Sequence, residues 1–316
     1  MMTDIELTAV TRTQGSTQAL KDGTVTPAGF PLRFEEVPVL VRGFRRMVRG
    51  LEFGVSEMAF TTYLCARAAG VAFTAIPVFL VRAFHHSAVR HDPAASGLRG
   101  PRDLEGRKAG VNRGYTVTTG VWARGILADE YGVDLGRVTW MPSGDEHVEP
   151  FRLPPNVVRL PPGADLAGLT AAGELAACVG AVDDPRLVPL IPDAAEAGFA
   201  ALASRGCYPI NHLVVVRNDL LAAHPGLAAA LFTAYAEAKN RYVGRLRDGR
   251  GELAAPEDRR YRRVMEITGA DPLPYGIGPN RAMITELIRH AVSQQIIDRP
   301  VAPEALFAAS THGLAA

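Results

Sequence analysis

Short apolar runs alternate with stretches of helical periodicity from one end of the chain to the other. IELTAV (5–10), PLRFEEV (31–37), LEFGVSE (51–57) and VAFTAIPVF (71–79) are short and bounded by Gly, Pro or charge, which predicts strands. Between them, STQALKDG and VLVRGFRRMVRG read as helices, the second with Val39, Val41, Phe44, Met47 and Val48 near helical spacing. A second series follows. RKAGVN is a strand, and TVTTGVWARGILADEYG is a helix with apolar pairs at 122/126, 123/127 and 127/131, stopped by Gly132. Then come RVTWM and NVVRL as strands, a helix from about Asp165, the strand ELAACVGA, and a helix around 193–204. YPINHLVVVRND (208–219) brings another strong β run at Leu213–Val216. The remainder is mostly helical: PGLAAALFTAYAEAKNRYVGRL opens with Pro225 in its first turn and carries Leu227, Leu231, Tyr235, Ala238 and Tyr242 on one side.

This alternation predicts an α/β fold. HDPAASGLRGPRDLEGR (91–107), rich in Pro, Gly and charge, reads as a crossing between lobes, and the chain returns near 210. The expected division is a discontinuous first lobe, 1–97 plus 212–316, with a second lobe, 98–211, inserted. That segment order is the plan of a two-lobed type II periplasmic-binding-protein-like fold with a ligand cleft between the lobes.

Composition narrows the partners. The chain has 316 residues, with 34 Lys and Arg against 33 Asp and Glu, so no global field draws it to nucleic acid or membrane. Cys65, Cys178 and Cys207 are widely spaced and odd in number, which argues against a disulfide framework or a structural zinc site. No run approaches a membrane span, and MMTDIELTAVTRTQ lacks the pattern of a secretory leader. The expectation is a cytoplasmic protein whose partner is a small molecule; a homo-oligomer is compatible with the sequence.

In open α/β sheets, ligands bind beyond the carboxyl ends of strands and at helix N-termini. That rule selects VSEM with Ser56 and Glu57, RAFHHS with Arg82, His86 and Ser87, NRGYTVTT with Tyr115, Thr118 and Thr119, and CYPINH with His212. In an extended RAFHHS, Arg82, Phe84 and His86 would share one face and His85 and Ser87 the other. Arg offers a planar fork for a carboxylate, and His exchanges protons near neutral pH. Residues 85, 86 and 91 have no familiar metal-ligand spacing, and no Cys or paired carboxylate joins them, so no metal is expected. SGDEHVEP (143–150), with Glu146, His147 and Glu149, reads as a solvated loop. Trp122 is a stacking surface only if the first helical turn faces a ligand. P-loop, GxSxG, post-strand GxGxxG and HExxH motifs are all missing. The residues alone lead to a two-lobed α/β protein for a small anionic ligand.

FRRMVRGLEFGVSEMAFTTYL (44–64), IPVFLVRAFHHSAV (76–89), VWARGILADEYGVD (121–134), YPINHLVVVRND and DPLPYGIGPNR (271–281) go further: the chain resembles the 4,5-dihydroxyphthalate decarboxylase family over nearly its whole length. It departs from the family at His85, where members tend to carry Arg, and at the helix start VTTGVW. The resemblance implies a cofactor-independent carbon–carbon lyase acting on a hydroxylated aromatic carboxylic acid. It implies His86 as proton donor to the ring carbon, Arg82 as anchor for the retained carboxylate, and Glu57 or His212 as partner of the hydroxyls. Ser56, Ser87, Tyr115, Thr118, Thr119 and Trp122 complete the expected binding set. The competing readings are a solute-binding protein for a small anionic aromatic ligand, or another lyase on this scaffold with a diverged substrate, as in the menaquinone-pathway enzymes.

Overall fold

The structure, a computed structural model, describes residues 5–249 and 255–316. The chain divides into two compact units. The first comprises residues 1–82, 210–285 and 301–316, and the second 83–209 and 286–300. The first switch falls at 82/83 rather than at the expected 97/98. The reason lies in the strands: the long strand through VAFTAIPVF ends at Arg82, and Val89–His91 is already part of the second sheet. The second switch is at 209/210. The second unit also reclaims 286–300, a return that no Pro- or Gly-rich stretch signals.

The strands are β1 (Leu7–Val10), β2 (Leu32–Phe34), β3 (Val55–Ala59), β4 (Phe73–Arg82), β5 (Val89–His91), β6 (Lys108–Val111), β7 (Thr139–Pro142), β8 (Ala177–Val179), β9 (Val188–Pro189) and β10 (Ile210–Arg217). The first unit's sheet runs β2-β1-β3-β10-β4, with β1 parallel to β2 and β3, and β10 antiparallel to both of its neighbours. The second unit's sheet, β7-β6-β8-β5-β9, repeats this mixture of directions. There β6 is parallel to β7 and β8, and β5 is antiparallel to β8 and β9. NVVRL, expected as a strand, contributes only a single bridge, Val157 to Trp140.

The helices are α1 (Gln18–Lys21), α2 (Leu40–Gly50), α3 (Phe60–Ala68), α4 (Pro93–Ser96), α5 (Thr118–Tyr131), α6 (Leu166–Ala171), α7 (Ala194–Arg205), α8 (Asn218–Ala223), α9 (Leu227–Arg247), α10 (Pro256–Thr268) and α11 (Ile277–Ser293). Helix α11 is counted with the first unit through Thr285 and with the second from Glu286. None of the described helices is long and apolar enough to cross a membrane.

The core of the first unit is its central strands. Leu213, Val214, Val215 and Val216 of β10 are fully buried, as are Ile76, Val78, Phe79 and Leu80 of β4. Each such side chain contributes about 1.5–3 kcal/mol relative to exposure. A strand covered on both faces reads as a continuous apolar run, which is why LVVV stands out in the sequence. Helix α2 turns Phe44, Met47 and Val48 inward. Helix α5 ends as its sequence predicts, with Gly132 in the left-handed region at φ 66°.

Candidate active site

In the first unit, Glu57 is the middle residue of β3 rather than the expected strand tip, since Met58 and Ala59 continue the strand, and it is completely buried. A lone buried carboxylate is costly, so its oxygens must be matched. Three donors do so: Thr11 Oγ1 at 2.9 Å, the Arg12 backbone N–H at 2.8 Å and His212 Nδ1 at 2.5 Å. Burial pushes the Glu57 carboxyl up, but His212 and the Arg12 amide outweigh it and hold the group below its ordinary range. With Nδ1 committed to an ionised carboxylate, His212 has Nε2 left for proton exchange. The ring is braced edge-on by Phe44 of α2 at 5.3 Å, and its side chain keeps 15 % exposure. Tyr235 and Tyr275 are buried behind the pair, and burial is the main cause that raises both hydroxyls above the ordinary tyrosine value. Ser56, also buried, donates to the Glu57 carbonyl at 2.7 Å.

Arg82 closes β4. Next to it the β4–β10 register shifts between Ile210 and His212, a local irregularity of the kind that re-aims side chains. Arg82 is buried, and one guanidinium nitrogen donates to Asn280 Oδ1. Asn280 is itself fixed, its amide donating to the Pro274 and Gly276 carbonyls at 2.8 Å each. The DPLPYGIGPNR block is thereby explained. Asp271 pairs with the buried Lys239, Tyr275 fills the core, and Gly276 (φ 102°) passes so close to Leu314 that a Cβ would lie 2.4 Å from its carbonyl oxygen. Asn280 then holds Arg82.

In the second unit the expected alternation through RAFHHS does not occur. The strand has ended, and His86–Ala88 form a 3₁₀ turn, so both His85 and His86 are buried while Ser87 is exposed. Phe84 packs on Phe199 and Tyr208 at 4.8 and 5.1 Å between ring centroids. His86 is completely buried, with Nε2 3.1 and 3.3 Å from the two oxygens of Glu130 on α5. His91 meets Ser96 Oγ at 2.8 Å.

The other expected binding residues belong to the fabric of this unit. Glu146 is buried rather than solvated: it accepts the Tyr115 amide at 2.5 Å, the Thr116 amide at 3.1 Å and Thr116 Oγ1 at 2.6 Å. The carboxylate lies so close to Gly114 that a Cβ there would sit 2.6 Å from Oε2. His147 is buried as well. The Tyr115 ring lies under the Arg124 guanidinium at 3.9 Å, and its carbonyl accepts from Arg124 Nη2. Trp122 is 1 % exposed and packs edge-on against His290, so it offers no open stacking surface within the unit. Thr118 is buried at the first position of α5 and Thr119 is half-buried; the N-cap is Val117.

Sequence reading misses three groups of polar residues. Glu130 and Asn280 are partners of residues that it does select. Asp129, Glu286 and His290 each bring one ligand atom within 4.8 Å of the others, a donor set that could hold a metal ion. Arg289 already donates to both of those carboxylates, so a guanidinium takes the cation's place there.

No protein-family model matches the chain. Its architecture is that of periplasmic-binding-protein-like proteins. The alkanesulfonate-binding protein of Xanthomonas axonopodis pv. citri superposes with a TM-score of 0.52 at 14% identity, over 96% of this chain and 98% of that one. A Candida albicans protein with the generic periplasmic-binding-protein fold gives 0.53 at 11% identity, over 94% and 92%. Sequence similarity then specifies the family. The chain is 30% identical over 282 residues, 84% of each protein, to 4,5-dihydroxyphthalate decarboxylase of Comamonas testosteroni. It is 33% identical over 147 residues to the Pseudomonas putida protein of the same name, 43% of this chain and 55% of that relative. The chain belongs to the 4,5-dihydroxyphthalate decarboxylase family, and is a carbon–carbon lyase.

Proposed function

We propose that the protein removes one carboxyl group from a hydroxylated aromatic dicarboxylic acid of the 4,5-dihydroxyphthalate kind. A carboxylate para to a phenol leaves once the carbon bearing it is protonated, because the phenol oxygen stabilises the dienone-like intermediate. The reaction needs a proton donor to carbon, an acceptor for the phenol proton and a cation for the carboxylate that stays. In this reading His86 is the donor, His212 backed by Glu57 exchanges the phenol proton, and Arg82, oriented by Asn280, anchors the retained carboxylate.

The observation that carries the proposal is the Glu57–His212 pair. A carboxylate with no exposure and three matched donors is an expensive arrangement for the middle of a strand, and it fixes one imidazole tautomer beside β4 and β10. General acid–base catalysis by such a group contributes roughly 10²- to 10⁴-fold. The same reading puts the protein in a reducing compartment, in keeping with Cys65, Cys178 and Cys207 forming no disulfide.

The test is direct. Purified protein is incubated with 4,5-dihydroxyphthalate while carbon dioxide release and ring absorbance are followed, and phthalate without hydroxyls serves as the control. Turnover of the dihydroxy acid alone is the expected result. Equal turnover of both would remove the role of the phenol, and turnover of neither would overturn the substrate assignment.

A further inference from the structure

His86 has two ring nitrogens in unlike surroundings. Nε2 faces both oxygens of Glu130, at 3.1 and 3.3 Å. Nδ1 is equally buried, and among the described residues it has no hydrogen-bond partner. The elements packed against the turn are α5, α7 and β9. Helix α5 supplies Glu130, and α7 supplies Arg205, whose guanidinium donates to the Glu130 oxygen Oε1. Strand β9 is Val188–Pro189 and brings no titratable side chain. The turn itself adds only His85 as a titratable neighbour.

Burial pushes the Glu130 carboxyl up, but His86 and Arg205 together outweigh it and keep it below its ordinary value of 4.5. An ionised carboxylate accepts only, so the nitrogen facing it carries the hydrogen. Nδ1 is then the nitrogen that can take or release a second proton.

Resting on the reading of His86 as proton donor, we infer that Glu130 is its positioning residue: it holds the ring with hydrogen on Nε2, so that the proton for the substrate leaves from Nδ1. Arg205 keeps Glu130 turned toward the ring. In the step itself, the proton on Nδ1 of the imidazolium moves to the ring carbon bearing the carboxylate. The bond from that carbon to the carboxyl carbon breaks, its electron pair restores the aromatic ring, and carbon dioxide leaves. The imidazole is left neutral, still with hydrogen on Nε2, and one proton taken from water resets it. A carboxylate that orients an imidazole in this way acts on the tautomer and leaves substrate contacts alone.

Three measurements test this. In Glu130→Gln, kcat falls about 100-fold with KM little changed, and Glu130→Asp recovers part of the loss. In the unmodified protein, the ¹⁵N spectrum of His86, assigned by its loss in His86→Ala, shows hydrogen on Nε2; this readout needs no altered residue at 130. Turnover by His86→Ala at the native rate would overturn the donor reading and this inference with it. An inactive His86→Ala beside a Glu130→Gln with native kcat, or a His86 tautomer with hydrogen on Nδ1, would overturn the inference alone.

Discussion

Glu57 stands opposite Val214 in the β3–β10 pairing, yet its carboxylate is held by His212, two residues earlier in β10. Residues two apart on a strand share a face, so the bond runs diagonally across one side of the sheet. The pair is thus set by strand register, and a slip of one residue would move the imidazole to the other face.

Glu57→Gln keeps the shape of the side chain and removes its charge. Turnover is expected to fall about 100-fold, because His212 loses the ionised partner that fixes its tautomer. The measurement is kcat against pH for both proteins; a native-like kcat would dismiss the pair as mere packing.

The same carboxylate makes stability depend on acid. Its folded-state value is depressed, so its contribution is present above the unfolded value and is lost as pH falls through the folded one. The melting temperature of the native protein is therefore expected to fall steeply below the ordinary carboxyl value of 4.5. In Glu57→Gln part of that acid dependence disappears, and parallel Tm–pH curves would speak against the sign.

Asn280→Ala removes the side-chain amide oxygen that accepts from the Arg82 guanidinium. If Arg82 anchors the retained carboxylate, KM is expected to rise about tenfold, the effect of roughly 1.4 kcal/mol, while kcat changes less. A change confined to kcat would assign Arg82 to the chemical step instead.

Glu146→Ala strips the loop before α5 of an acceptor that serves three buried donors. Each donor left unmatched costs about 1–3 kcal/mol, so a clear loss of stability in urea is expected. A variant as stable as the native protein would mean that water takes over these donors.

Gly198 lies against the Phe84 side chain, where an added Cβ would come within 2.7 Å. Gly198→Ala therefore presses on the residue two positions before His86. It is expected to destabilise by about 1–3 kcal/mol and to lower turnover. Unchanged unfolding would show that α7 can shift to make room.

What is legible in the sequence, and what is hidden, follows from the range of each interaction. β1, α2, β4, α5 and β10 announce themselves through periodicity, and Glu57 and His212 as titratable residues beside apolar strand runs, although both prove to lie within their strands. The partners of Arg82 and His86 do not, because Asn280 is 198 residues from Arg82 and Glu130 is 44 from His86. Nothing local marks either of them. Glu146 reads as solvated because a charged loop ordinarily is; only the amides of Tyr115 and Thr116, brought against it by folding, give it a buried task. RAFHHS reads as extended because strands and 3₁₀ turns share short apolar patterns, and the turn at His86 is decided by packing against α5 and α7.

The return of residues 286–300 to the second unit bears on how the gene can be dissected. Arg124, fully buried on α5, donates to Gln294 Oε1 at 2.8 Å, and Gln294 donates in turn to the Val121 carbonyl at 2.9 Å. A fragment cut at 83 and 209 would leave the Nε of that guanidinium without its acceptor, Gln294. An autonomous version of the unit has to carry 286–300 as well, through a new linker or as a peptide added in trans, which makes this short stretch a natural handle for fragment complementation.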